Sequence, residues 1–190
     1  MPLTCPDRIE ASRIDLRPLE DGDLPSLLEM NADSAVTDLL PDATWTSLAD
    51  GRAWLERMRG IEATGTARQL VVVDRAADAA IGTCLLFRHE EASARVELGY
   101  ALARRHWGRG LMREALVALI ACAFGPMALR RVEAEVDTRN AASAALLALL
   151  GFQAEGVSRQ RWMTKGRAID VALYGLLRGE LRAESASPVG

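Results

Sequence analysis

Residues 104–113 read RRHWGRGLMR: four arginines, two glycines two positions apart, and no acid. An apolar alternating run precedes them and a long alanine- and leucine-rich run follows. A strand that turns through glycines into a helix is a device for holding an anion. The first helical N–H groups have no partner within the helix, and the helix dipole adds partial positive charge at that end. Gly108 and Gly110 let the main chain approach a ligand without Cβ atoms in the way. Arg104, Arg105, Arg109 and Arg113 offer forks for phosphate oxygens. The chemistry implied is binding of a phosphorylated ligand. A nucleotide-kinase loop is excluded, because no Lys-Ser/Thr pair follows Gly110. A dinucleotide fingerprint is excluded too, because Arg113 stands where its third small residue belongs. Taken alone, a G-x-G before a helix is a weak signal, and a tight turn with solvated arginines is the alternative.

Hydrophobic periodicity supplies the elements around this loop. Residues 13–17 alternate as a half-buried strand does. Asp23 is a candidate N-cap with Pro25 in the first turn, and a second short helix is expected at 34–40. Ser47 and Asp50 resemble a capping box, opening a helix with Trp54, Leu55, Met58 and Ile61 on one side. Two β-rich runs, 69–74 and 80–87, are joined by a turn-sized link. Residues 94–102 alternate again, with Val96, Leu98, Tyr100 and Leu102 on one face and Arg95, Glu97, Gly99 and Ala101 on the other. A helix over 108–124, a strand over 131–137, and a helix capped by Asn140 and stopped at Gly151 follow. Strands over 152–163 and 168–177 come last. This order predicts an α+β domain built on one mixed sheet. Residues 1–11 read as an N-terminal extension, 12–180 as one domain, and 181–190 as a loose tail.

Four motifs in order resemble those of the GNAT acetyltransferases. Residues 105–110, RHWGRG, fit the family's R/Q-x-x-G-x-G/A loop, and ELGYAL at 97–102 resembles the strand before it. Asn140-Ala141-Ala142-Ser143 with Leu150-Gly151-Phe152 resembles the N-x-x-[AS]…G-F segment. Residues 13–19, RIDLRPL, resemble the opening strand of the branch that contains ribosomal-protein N-terminal (alanine/serine) acetyltransferases. The resemblance spans about residues 12–178 and implies the GNAT fold, a mostly antiparallel sheet of about seven strands, splayed in the middle and flanked by helices.

What the resemblance implies about chemistry is N-acetyl transfer from acetyl-CoA to a primary amine by direct attack. Backbone amides at Arg105 and at Gly108, Arg109, Gly110, Leu111 and Met112 would hold the diphosphate, with Arg104 adding to the positive field. The pantetheine arm would pair like an extra strand with Leu98, Tyr100 and Leu102, since its amides need main-chain partners. Asn140 would contact the cofactor near the split. Glu97 is the candidate base, or else a surface partner of Arg95 or Arg88. The family's usual acid, a tyrosine, is replaced by Leu147, and Trp162 stands where the N-terminal branch can carry a glutamate. Ser143 stands where that branch can use a serine as the acid, or else is a helix-start serine; Tyr174 and Tyr100 are other phenols. Tyr100 is expected in the core and His106 as a solvated ring.

The totals narrow the partners. The net charge of -3 gives the whole molecule no attraction to nucleic acid. All 23 basic residues except Lys165 are arginine. Cys5, Cys84 and Cys122 have no metal spacing, His89 and His106 make no metal pair, and no metal site is expected. With no signal peptide and no long apolar run, a soluble cytoplasmic protein without membrane contact is expected. From Pro18 to Gly51 there are eight acids and no base. They form either an acidic wall beside the acceptor cleft or a set of caps and helix-start charges. A protein α-amine titrates near ~7.8 and a lysine near ~10.4, so an N-terminus is the easier nucleophile. A small amine (antibiotic, polyamine or amino acid) and a non-catalytic acetyl-CoA sensor are the alternatives. A homodimer is compatible with the resemblance.

Overall fold

A computed structural model of the chain describes residues 2–183. An eight-stranded sheet runs in the order β1-β2-β3-β4-β5-β6-β8-β7. Its strands are β1 (Ile9–Glu10), β2 (Ile14–Pro18), β3 (Arg68–Asp74), β4 (Ala79–Glu90), β5 (Arg95–Leu102), β6 (Arg131–Asp137), β7 (Gln153–Thr164) and β8 (Arg167–Leu177). Helices α1 (Leu24–Asn31), α2 (Ser34–Thr37) and α3 (Leu48–Glu62) precede β3; α4 (Leu111–Phe124) and α5 (Ala141–Leu150) lie on either side of β6 in sequence. The strand beyond the seven expected is β1. Residues 1–11 are therefore not simply an appendage: Ile9 is buried, and Ile9 and Glu10 pair with Leu16 and Asp15. At the other end, the Arg182 N–H donates to Leu150 O, while 184–190 of the expected loose tail lie outside the described residues.

Alternation sorts the sheet's two faces. Leu86, Val96, Leu98 and Leu102 join Leu116, Leu119, Leu147 and Leu150 of α4 and α5 in one core. Leu85 and Ala101 face the other way, toward Leu27, Trp54, Leu55 and Met58 of α1 and α3. Nine residues of α4 are buried, so it is a central helix, apolar nearly all round. Ile61, expected on the buried side of α3, is exposed at the helix's last turn.

Helix ends follow the local chemistry with one exception. Ser47 and Asp50 form the capping box, and the Asn140 side chain accepts from the Ser143 N–H. Gly151 takes a φ of 102°, ending α5. Asp23 does not cap α1. A 3-10 turn at Asp21–Asp23 places it inside helical geometry, and its carboxylate instead accepts from Arg17 and the Glu20 N–H.

The feature that matters for function lies between β5 and β6. They are parallel and pair only at Arg95↔Arg131, Val96↔Val132 and Glu97↔Glu133. Beyond that the strands diverge, although β5 continues to Leu102 and β6 to Asp137. Their facing main-chain groups are left outside the ladder, where an extended ligand can pair with them.

Candidate active site

Where β5 and β6 part, a cavity of about 220 Å³ opens. Leu98, Gly99, Tyr100 and Ala101 line one side; Ala134, Glu135, Val136, Asp137, Asn140 and Ser143 line the other. The sequence-predicted residues Glu97, Leu98, Tyr100, Asn140 and Ser143 are thus brought together. Leu102, at the end of β5, is buried against the α4 core.

The turn after β5 leads into α4. A 3-10 turn at Arg104–His106 precedes Gly108 and Gly110, which take φ of 70° and 74°, in the left-handed region that favours glycine. Gly110 is the N-cap of α4. The Glu114 N–H donates to Gly110 O, so the N–H groups of Leu111 and Met112 have no acceptor within the helix. A Cβ built on Gly108 would meet nothing within 4 Å. An open approach at Gly108, beside the N-terminus of a helix, fits a diphosphate.

The arginines are arranged differently from a simple cationic rim. Arg104 Nε lies 2.7 Å from Asp33, and Arg105 pairs with Glu29 of α1. Arg105 Nε also donates to His106 Nε2 at 3.0 Å, and Arg109 Nη1 lies 3.3 Å from Nδ1. His106 is therefore a buried ring between two guanidiniums, not a solvated one. Burial first, then Arg105 and Arg109, push its pKa below 6.5. Arg13 straps the turn from outside. Its N–H and Nε both donate to Glu114, and its Nη1 donates to Arg109 O.

On the opposite face of the sheet the cavity is bounded by Leu40, Trp54, Met58, Leu85 and Phe87. Four carboxylates stand around it, each with a partner. Glu97, buried on β5, accepts from Arg88 at 2.7 Å. Burial pushes its pKa above the usual value against the pull of Arg88. Glu135 on β6 accepts two bonds from Arg161 and one from the Trp162 indole. Burial raises its pKa, but these donors and Arg88 together bring it below the ordinary value. Asp137 is held by Arg139, and Asp42 by Arg57. The Lys165 Nζ donates to Thr37 O at 2.9 Å, tying the β7–β8 turn to α2.

Across the split, Tyr100 Oη and Ser143 Oγ are 2.6 Å apart. Tyr100 packs partly against the α4 core, as expected, but its hydroxyl reaches the cavity. Burial raises its pKa to about 12. Leu147 is fully buried and brings no acid to the site. Glu135 and Arg13 were missed by sequence reading. The alternation of 131–137 puts Glu133, Glu135 and Asp137 on one face, which was the available signal for Glu135. The cysteines offer no nucleophile: burial pushes Cys5 to about 12 and raises Cys84 further.

Comparison with known proteins agrees with this geometry. Residues 13–153 match the family model described as the acetyltransferase (GNAT) domain. The chain is 33% identical over 174 residues to the "Uncharacterized N-acetyltransferase p20" of Bacillus licheniformis, covering 92% of this chain and 98% of that one. It is 35% identical over 79 residues to the [ribosomal protein uS5]-alanine N-acetyltransferase of Escherichia coli, covering 42% of this chain and 41% of that one. In fold it resembles Mycobacterium smegmatis RimJ in complex with CoA-disulfide, with a TM-score of 0.83 at 22% identity over 95% of this chain and 91% of the other. No helix among the described residues is long and apolar enough to cross a membrane. The splayed sheet, the glycine turn at the head of α4 and the family match lead to one conclusion: the chain belongs to the GNAT acetyltransferase family and is an acetyl-CoA-dependent N-acetyltransferase.

Proposed function

We propose that the acceptor is a protein N-terminal α-amine in the cytoplasm, acetylated by direct attack on acetyl-CoA. The observation that carries this reading is the pairing of every carboxylate named around the cavity with an arginine, beside an apolar wall. A polyamine brings two or more cationic centres and needs uncompensated acids to meet them. A peptide N-terminus brings one amine, which is substantially neutral at pH 7–8 because its pKa is near ~7.8. Its first side chain can sit against Leu40, Trp54, Met58, Leu85 and Phe87. The likeness to an alanine N-acetyltransferase of a ribosomal protein supports the same acceptor class.

In this reading the amides from Gly108 to Met112 hold the diphosphate, with Arg105 and Arg109 near it, and the free edge of β5 from Leu98 to Leu102 pairs with the pantetheine amides. Asn140 fixes the start of α5 and touches the cofactor at the split. A main-chain N–H on β5 supports the oxyanion. Glu97, its pKa raised by burial, takes the amine proton through a water. The Ser143 hydroxyl donates to the departing sulfur. Thiol release from acetyl-CoA against a panel tests the acceptor. Peptides with a free N-terminal Ala or Ser should turn over, whereas the same peptides blocked at the N-terminus with an internal lysine, and spermidine, should not. Preference for spermidine would sink the assignment.

A further inference from the structure

We propose that Tyr100 is a positioning residue, which aims the Ser143 hydroxyl at the departing sulfur by donating its own hydrogen bond to Ser143 Oγ. This rests on the acetyl-transfer role proposed for Ser143.

A serine hydroxyl has one proton, two acceptor lone pairs and a freely rotating bond. In the first turn of a helix such a hydroxyl usually turns back to a main-chain group. In this chain the backbone role is already filled from the other side: the Ser143 N–H donates to Asn140 Oδ1 at 3.0 Å. The hydroxyl instead meets Tyr100 Oη at 2.6 Å, across the gap between β5 and α5. Both residues line the cavity where the strands part. Of the two hydroxyls, the phenol is the stronger donor. When it donates to Ser143 Oγ, the single serine proton is left uncommitted and free to point into the cavity. The Tyr100 ring is fixed by the α4 core, so the phenol is a rigid reference for a rotor that would otherwise sample several directions.

The phenol does not serve as the proton source. Burial holds it near 12, above an ordinary thiol at ~8.5, so transfer of its proton to a departing thiolate is uphill and the phenol serves as a hydrogen-bond donor. As the tetrahedral adduct collapses, the new C–N bond is kept and the C–S bond breaks with its electron pair moving to sulfur. The proton lost by the attacking nitrogen leaves through water. The thiolate is stabilised by the Ser143 O–H and takes a proton from solvent on release. Tyr100 keeps its proton throughout.

Steady-state kinetics on Tyr100→Phe, Ser143→Ala and the double variant test this. Tyr100→Phe keeps the ring, so melting temperature and KM for acetyl-CoA should stay near parental values. Its kcat should fall about tenfold, the scale of one hydrogen bond to a developing charge. Ser143→Ala should lose at least as much, and the double variant should match Ser143→Ala within about twofold, because Tyr100 acts only through the serine. Parental kcat in Tyr100→Phe alongside an impaired Ser143→Ala overturns the inference and leaves Ser143 in place. Losses that multiply in the double variant overturn it as well. A harmless Ser143→Ala removes the serine's role and the inference with it, while thiol release by the parent enzyme keeps the acetyltransferase reading intact.

Discussion

His106 shows how one residue ties the turn into α4 to solution conditions. It is buried between Arg105 and Arg109, and its pKa lies below 6.5 because burial and then the two guanidiniums oppose a third positive charge. The unfolded chain takes up the proton near 6.5, and the folded chain does so only at lower pH. The stabilising effect of the neutral ring is therefore complete above about 6.5 and is lost as pH falls from there through the folded value. Melting temperature should fall as pH drops below about 6.5, starting above most carboxylate titrations. His106→Gln, which keeps an acceptor without the titration, should flatten that slope. An equally steep slope in the variant would place its origin elsewhere.

At the scale of elements, the turn into α4 is held by glycine geometry on one side and the Arg13–Glu114 strap on the other. Gly110 has a φ of 74°, so Gly110→Ala forces a side chain into the left-handed region at a cost of ~1–2 kcal/mol. It should lower the melting temperature by a few degrees and raise KM for acetyl-CoA about tenfold through misaligned amides, with kcat changed far less. Calorimetry and initial rates at saturating amine measure both, and an unchanged KM would separate the turn from cofactor binding. This turn was legible in advance because glycine spacing and helix-start chemistry are local. So were the strands, whose alternation survives in the burial of Val96, Leu98 and Leu102. What could not be read was register. The bond from Arg13 to Glu114 crosses 101 positions and that from Tyr100 to Ser143 crosses 43. Such contacts depend on which strands pair and where β5 and β6 part. Asp23 was misread although its partners are local: the 3-10 turn at Asp21–Asp23 carries it into helical geometry, where its carboxylate accepts from Arg17 and the Glu20 N–H.

For the molecule as a whole, the question is whether charge draws the acceptor in from a distance. The acid-rich segment 18–51 suggests an acidic wall, and the folded chain dissolves most of it. Asp21 pairs with Arg59, Asp23 with Arg17, Glu29 with Arg105, Asp33 with Arg104 and Asp42 with Arg57; Asp38 lies 3.6 Å from Lys165, and Asp50 serves the capping box. All six cations lie outside the segment, and Arg104, Arg105 and Lys165 come from far along the chain, which is why the segment looked uncompensated. Ion pairs cancel at distances beyond a Debye length, about 8–10 Å at ordinary salt, so little field reaches a cationic amine approaching the cleft. The value of kcat/KM for a peptide with one free amine should then change less than about twofold between 0.05 and 0.3 M salt. The KM for acetyl-CoA should rise over the same range, because in the proposed binding mode its phosphates meet a helix N-terminus and the Arg109 guanidinium, whose attraction is weakened by screening. The double variant Asp33→Asn with Asp38→Asn separates the two accounts. If those acids steer the acceptor, the variant loses acceptor kcat/KM at low salt and converges with the parent at high salt. If they serve as partners of Arg104 and Lys165, the acceptor slope stays flat. In that case, freeing Arg104 lowers KM for acetyl-CoA at low salt.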